Sequence, residues 1–440
     1  MRIAVIGAGI AGLGCAHALT RTAIEAGDHT LQVTLYEAEA RLGGHANTVD
    51  VTLDGQVHPV DTGFLVFNKR TYPNLLQLFE QLDVPIAASD MSFSVSVPVR
   101  GAFGQRRLEW SGANLDTVFA QRRNLGSPDF LRMLRDLLRF NAQATRVASG
   151  QEPDSGLTLG DFLLRHGYGA AFRDWYLLPM AAAIWSCPMA TMLGYPVATF
   201  MRFCHNHGLL QINDRPQWYT VPGGSRRYVH RIADRLPHVR LADPVVSVTR
   251  APGGKVQVVS RHGRALYDEV VLASHSDQAL RLLEDADAEE RSVLEAVRYQ
   301  PNQAVLHTDS ELMPASRKVW AAWNYLSDGG AHSAPAGVSV TYLLNKLQPL
   351  PFATPVFLSL NPLQTPHGTQ TIAEFEYSHP IFDARALATQ RRLPSVQGKR
   401  GVWFAGAWTG YGFHEDGLKS GLSVAAAIGA LAARPARLAA

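Results

Sequence analysis

Cysteine is scarce in this 440-residue chain: Cys15, Cys187 and Cys204 are widely spaced and odd in number. They make neither a zinc pattern nor a disulfide framework, which points to a reducing, cytoplasmic setting. Lysine is scarce as well, with six residues among 41 lysines and arginines, so few side chains could do lysine chemistry. No uninterrupted apolar stretch reaches the roughly 18 residues that cross a bilayer. A strand starts at once near Arg2 with no basic leader before it, and a soluble protein is expected. The net charge of +3 gives little support to a nucleic-acid partner. Abundant instead are apolar residues, 46% of the chain, enough at this length for a large core and more than one lobe.

Ile3-Ala4-Val5-Ile6 reads as a short strand buried on both faces. Gly7, Gly9 and Gly12 follow in the spacing G-x-G-x-x-G, with Ile10 and Ala11 opening a helical stretch. In that arrangement the first glycine makes a tight turn, the second admits a pyrophosphate, and the third lets helix pack on strand. Phosphates then meet free N–H groups at the helix start. A second strand, 32–36, ends at Glu37, whose carboxylate is placed to accept the hydroxyls of a ribose. Strand, glycines, helix, strand and acid in this order specify dinucleotide binding. The next residues, Ala38-Glu39-Ala40-Arg41-Leu42-Gly43-Gly44-His45, hold a second glycine pair that no NAD site needs. Such a pair lets the chain run along a longer cofactor, FAD.

These residues resemble the flavin-containing amine oxidase superfamily, which includes monoamine oxidases, protoporphyrinogen oxidases and phytoene desaturases. That family carries an acid and then R-x-G-G-R; Arg41, Gly43 and Gly44 match, and His45 stands in place of the last arginine. Val60-Asp61-Thr62-Gly63-Phe64 resembles the segment that skirts the flavin ring, and 221–225 the Gly-Gly turn back to the cofactor domain. The run 243–248 resembles the strand that clasps adenine, with Val246 as the contact, and 270–273 the next parallel strand. Val402-Trp403-Phe404-Ala405-Gly406 resembles the last strand. The resemblance implies an α/β fold: a Rossmann-like FAD-binding domain interleaved with an α+β substrate domain. The FAD-binding domain takes about 1–83, 217–290 and 395–440. The substrate domain takes 84–216, mainly helical (128–147 and 158–165), and 291–394, rich in strands (303–307 and 338–342). FAD is expected to be non-covalent, since no cysteine follows residue 204 to make a cysteinyl link. The implied activity is an oxidoreductase removing hydride equivalents from carbon, with O2 or another acceptor reoxidising the flavin.

GFHEDGLKSG, 412–421, sets His414, Glu415 and Asp416 side by side at a helix start. A metal site would need further ligands at recognisable spacing, so none is expected. In the family, the last helix aims its N-terminus at the pyrimidine edge of the flavin, where dipole and N–H groups stabilise negative charge. By that resemblance Glu415, Asp416, Gly417 and Leu418 belong to the cofactor site, and His414 is a candidate for its catalytic face. His379, in EYSHPIFD, is a second.

Amine oxidases of the superfamily hold a lysine against the flavin. The counterpart here, 299–306, has none, and Ala407-Trp408 replaces the acid common after F-A-G. These departures argue against amines. Trp175, Tyr176, Trp185, Trp218, Tyr219, Trp320, Trp323, Tyr325 and Tyr342 supply aromatics for a core and for an apolar tunnel. A closer likeness, through RLGGHANTV, NHGLLQ, WYTVPGGSRRYV and GFHEDGLKSG, is to bacterial FAD-binding proteins associated with fatty-acyl modification. It implies an unsaturated or modified acyl chain as substrate. A flavin amine oxidase and a non-catalytic FAD- or lipid-binding accessory protein are the other readings. Phe130, Leu131, Leu134, Leu137 and Leu138 share 128–147 with Arg132, Arg135, Arg139 and Arg146. Such a helix either lies peripherally on anionic membrane lipid or turns its apolar face into the core.

Overall fold

Short apolar runs without a solvent-facing side form the centre of the fold. Ile3, Ala4 and Val5 are fully buried, as are Val270, Val271 and Leu272. They belong to the centre of a five-stranded parallel sheet, ordered His238–Arg240, Gln32–Tyr36, Arg2–Ile6, Glu269–Leu272 and Val402–Phe404. This is a computed structural model that describes residues 1–27, 30–101, 104–185, 189–212, 214–328 and 339–432; Cys187 and Val338 lie outside the described residues. Helices Ile10–Glu25 and His414–Ala432 pack against each other. Their contact uses small residues: a Cβ at Gly421 would lie 2.1 Å from the Ala11 carbonyl oxygen, and one at Gly14 2.4 Å from Leu418.

A second sheet has seven strands, ordered Thr371–Ile381, Arg298–His307, Phe357–Leu360, Ser339–Leu343, Trp323–Leu326, Phe93–Gly101 and Gly104–Ser111. Its pairs are antiparallel except Trp323–Leu326 beside Phe93–Gly101. Between residues 128 and 206 the described residues are mainly helical, beginning with the long helix Pro128–Ala148. That helix buries Phe130, Met133, Phe140 and Ala144, so its apolar face is in the core, while Leu131 and Leu138 stay 44% and 54% exposed. Phe140 meets Phe162, Phe172 and Phe200 at ring-centroid distances of 6.3, 5.5 and 6.3 Å. Among the described residues no helix is long and apolar enough to cross a membrane.

One buried acid joins segments far apart in sequence. Asp61 accepts from the Ser225 N–H at 2.9 Å, the Ser225 hydroxyl at 2.7 Å and the Thr48 hydroxyl at 2.5 Å, while its own N–H donates to Gln348 over 2.9 Å. The turn at Gly224 must come this close: its φ is +85°, and a Cβ would lie 2.4 Å from Thr48.

The core also holds histidines. Burial pulls His17, His207, His307 and His379 down to about 4 and His414 to about 3. These imidazoles are neutral in the fold but take a proton in the unfolded chain below its ordinary value near 6.5. Their contribution to stability is therefore present above pH 6.5 and is lost as pH falls toward 4. Burial acts oppositely on Asp61 and Asp416, both pushed up to about 6, but the lowered histidines, His45 and His275 among them, outnumber these two. The melting temperature of the FAD-free protein should fall steadily between about pH 7 and pH 5, measured by circular dichroism. A flat or rising profile would show that the histidines are solvated.

Candidate active site

Two glycine-bearing loops meet at the carboxyl edge of the parallel sheet. Gly7 donates its N–H to Tyr36 O over 2.8 Å, and Gly43 donates to Ala8 O over 2.8 Å. At Gly7 φ is +104° and a Cβ would lie 2.6 Å from Ala273 O; at Gly9 a Cβ would meet nothing within 4 Å. One loop thus packs on the sheet and presents open backbone beyond it. Glu37, at the end of the second strand, accepts from Ala8 N–H at 2.7 Å and Glu39 N–H at 3.0 Å, holding the first loop in place. Arg41 donates to Gly44 O over 2.8 Å and braces the second from outside.

A cavity of about 660 Å³ opens from these loops. Gly7, Gly9, Ile10, Ala11, Glu37, Ala38, Gly43 and Gly44 line one end, and His45, Thr62, Gly63, Phe64, His379, Gly406, His414 and Gly417 line its walls. Ile184, Trp185, Phe203, Trp218, Trp323 and Tyr342 line the rest with other apolar groups. The charged side chains among the described lining residues are Glu37, Glu39 and Arg281, all on elements of the parallel-sheet half. Backbone N–H groups, a carboxylate at the end of the second strand and a long apolar extension together fit an extended dinucleotide such as FAD.

Six residues expected at the cofactor do not line this cavity. Gly12 serves packing, since a Cβ there would lie 1.9 Å from Gly7 O. Arg41 is the outer brace described above. Val246 is 58% exposed: the strand slips register between Val245 and Ser247, and Val245 lines the cavity in its place. Glu415 accepts from Asn74 N–H at 2.9 Å, Asn74 Nδ2 at 2.6 Å and Leu75 N–H at 3.0 Å, capping helix Pro73–Gln81. Asp416 accepts from Tyr411 and Phe413 N–H at 3.1 and 3.0 Å, closing the turn before its own helix. Leu418 is fully buried between the two packed helices. The cluster at 414–416 is thus divided: its carboxylates cap helix ends, and its imidazole faces the cavity.

His414 stacks on Phe64 with ring centroids 3.9 Å apart and an 11° tilt, and shares a hydrogen bond with the Tyr228 hydroxyl over 2.8 Å. Burial keeps it neutral. His379 Nδ1 lies 3.0 Å from Asn302 Nδ2. Tyr377 joins Asn47 and Thr62 through its hydroxyl at 2.9 Å each. Of the nine aromatics marked in the sequence, Trp185, Trp218, Trp323 and Tyr342 line the cavity; Trp175, Tyr176, Tyr219, Trp320 and Tyr325 do not. His207, His275, Tyr299 and Phe203 also line it and carried no motif that marked them. Among the described residues no group of three His, Cys, Asp or Glu side chains is placed to hold a metal ion.

No curated protein matches this chain in sequence. Solved structures share its fold. A fatty acid isomerase from P. acnes that produces CLA is 15% identical, with a TM-score of 0.65 over 97% of this chain and 98% of that one. A putative protoporphyrinogen oxidase from Exiguobacterium sp. 255-15 is 16% identical, with a TM-score of 0.63 over 97% and 98%. Cyclohexylamine oxidase from Brevibacterium oxydans IH-35A is 16% identical, with a TM-score of 0.67 over 98% and 99%. The family profile described as flavin containing amine oxidoreductase matches residues 10–429. With nearly its whole length matched, this chain belongs to the flavin-containing amine oxidoreductases and is an FAD-dependent oxidoreductase.

Proposed function

We propose that the protein oxidises an apolar substrate, an unsaturated or modified fatty-acyl chain, against non-covalently bound FAD. The observation that carries this reading is the uncharged extension of the cavity. Beyond the parallel-sheet end, no Asp, Glu, Lys or Arg is among its described lining residues, whereas Ile184, Trp185, Phe203, Trp218, Trp323 and Leu358 are. Burying a charged group there without a partner would cost several kcal/mol, and a hydrocarbon chain meets no such penalty. Lys69, Lys255, Lys318, Lys346, Lys399 and Lys419 are all outside the lining. The fatty acid isomerase of the same fold adds support; the amine oxidase of that fold makes amine oxidation the competing reading.

In this reading FAD supplies two-electron redox chemistry when bound. Gly9, Ile10 and Ala11 offer N–H groups to its diphosphate, Glu37 accepts from its ribose, and Thr62, Gly63, Phe64 and Gly406 flank the ring. His414, held neutral between Phe64 and Tyr228, shapes the wall beside the substrate. Peripheral membrane contact would use the outer face of Pro128–Ala148, where Leu131 and Leu138 alternate with Arg132, Arg135 and Arg139.

Three measurements test this. Under anaerobic mixing, a cis-unsaturated long-chain acyl ester should bleach the flavin absorbance, while cyclohexylamine and putrescine should not; bleaching by the amines alone would defeat the acyl reading. Glu37→Ala should weaken FAD binding at least tenfold, because each charge-assisted bond lost contributes about 1.5–3 kcal/mol; FAD occupancy unchanged on dilution would remove Glu37 from the site. His414→Ala should leave FAD bound and alter turnover. Gly417→Val should lower FAD occupancy, since a Cβ there already comes within 3.0 Å of Ile10. The reverse pattern would place the cofactor's contact on the imidazole.

A further inference from the structure

Three imidazoles from separate parts of the chain converge beside the glycine loops. His45 follows the second glycine pair, His275 precedes helix Ser276–Leu282, and His379 sits on strand Thr371–Ile381. The His45 ring centroid is 5.4 Å from that of His379 and 6.3 Å from that of His275, and all three rings line the cavity. They adjoin the backbone that opens toward a diphosphate. A Cβ at Gly44, the residue before His45, would lie 3.2 Å from the Gly9 Cα, and one at Gly7 would lie 2.6 Å from the carbonyl of Ala273, two residues before His275.

His45 Nε2 is buried and has no hydrogen-bond partner among the described residues, which leaves it open to a ligand or an ordered water. His379 is oriented by a chain of amides. Gln303 N–H donates to Asn361 Oδ1 at 3.0 Å, Asn361 Nδ2 to Asn302 Oδ1 at 2.7 Å, and Asn302 Nδ2 to His379 Nδ1 at 3.0 Å. That sequence leaves the His379 proton on Nε2. His275 stacks on Tyr299 with centroids 4.3 Å apart, and Tyr299 in turn accepts from Ser276 N–H over 2.8 Å.

We propose that His45, His275 and His379 form the cradle for the FAD diphosphate in place of an arginine, and that seating the diphosphate draws a proton into this set. The inference rests on the assignment of the glycine loops to that diphosphate. The charged and titratable groups acting on the rings are few. Arg41 is committed to Gly44 O, Asp277 is paired with Arg281 at 2.8 Å, the Tyr377 hydroxyl is engaged by Asn47 and Thr62, and His414 is bound to Tyr228. Burial, then mutual repulsion, holds His45 well below its ordinary value; burial lowers His275 and brings His379 to about 4. All three are therefore neutral while no anion is present. An opposite charge at contact distance favours the protonated ring by about ten- to a thousandfold, enough to bring one of them into charge near neutral pH.

Dilution of FAD-loaded protein, followed by the fluorescence of released FAD between about pH 6 and pH 8, tests the linkage. The dissociation constant should rise severalfold, up to about tenfold, across that range in the wild type. His45→Gln should flatten the slope to less than about threefold, and His45→Arg should bind tightly with no slope. His379→Gln is the second variant, for which a reduced slope is expected. ADP should compete with the wild-type pH dependence, and adenosine should compete without it. A flat wild-type profile with FAD bound, or a slope that survives in both glutamine variants, overturns the proton-linked cradle while leaving the cofactor assignment standing. Failure of ADP to compete at any pH overturns the assignment of the loops as well.

Discussion

The Gly43 N–H donates to the Ala8 carbonyl over 2.8 Å, locking two glycine-bearing loops side by side at the carboxyl edge of the parallel sheet. The site depends on that contact. It can form only because Gly7 and Gly43 adopt φ near +105° and carry no Cβ, positions where another residue would collide with Ala273 O and Ala46 O. With the loops packed together, Gly9 faces open space, Glu37 is drawn under Ala8, and His45 is delivered to the wall beside them. Ligands of open α/β sheets lie outside the carboxyl ends of the strands for the same reason: that is where the backbone leaves the ladder with N–H groups to spare.

A second constraint joins this edge to the seven-stranded sheet. Asp61 ties Thr48 and the turn at Ser225 together while Gln348 holds its backbone, so the wall at Thr62–Phe64 is fixed from both sides. The residue is buried and fully engaged, and its work is mechanical. Glu415 and Asp416 are similar: each carboxylate collects backbone N–H groups at a helix start, where acids interact favourably with the dipole. None of these three acids lines the cavity, whose charged lining, Glu37, Glu39 and Arg281, is confined to the parallel-sheet end, with imidazoles and hydroxyls along the other polar walls.

Much of the cofactor half was legible because it is local. A residue that must turn with positive φ, or must let backbone approach backbone, is glycine, and the spacing of Gly7, Gly9, Gly12, Gly43 and Gly44 records it directly. The ends of strands 2–6 and 32–36 were equally plain, since each apolar run is followed at once by a residue that breaks it, the turn-forming Gly7 or the charged Glu37. Aromatic content announced an apolar lobe without saying which rings face the cavity: Trp323 lines it and Trp320, three residues away, does not. Val246 was lost to a register slip that no local pattern records.

The sequence by itself determined the dinucleotide loops and the acid that follows the second strand, because each is set by residue type within a few positions. Tertiary structure alone decided where Glu415 spends its charge, on a helix start 340 residues earlier, and that His45, His275 and His379 share one wall. Those outcomes depend on how segments hundreds of residues apart pack, and packing is settled by the shape and burial of the whole core and not by any spacing along the chain.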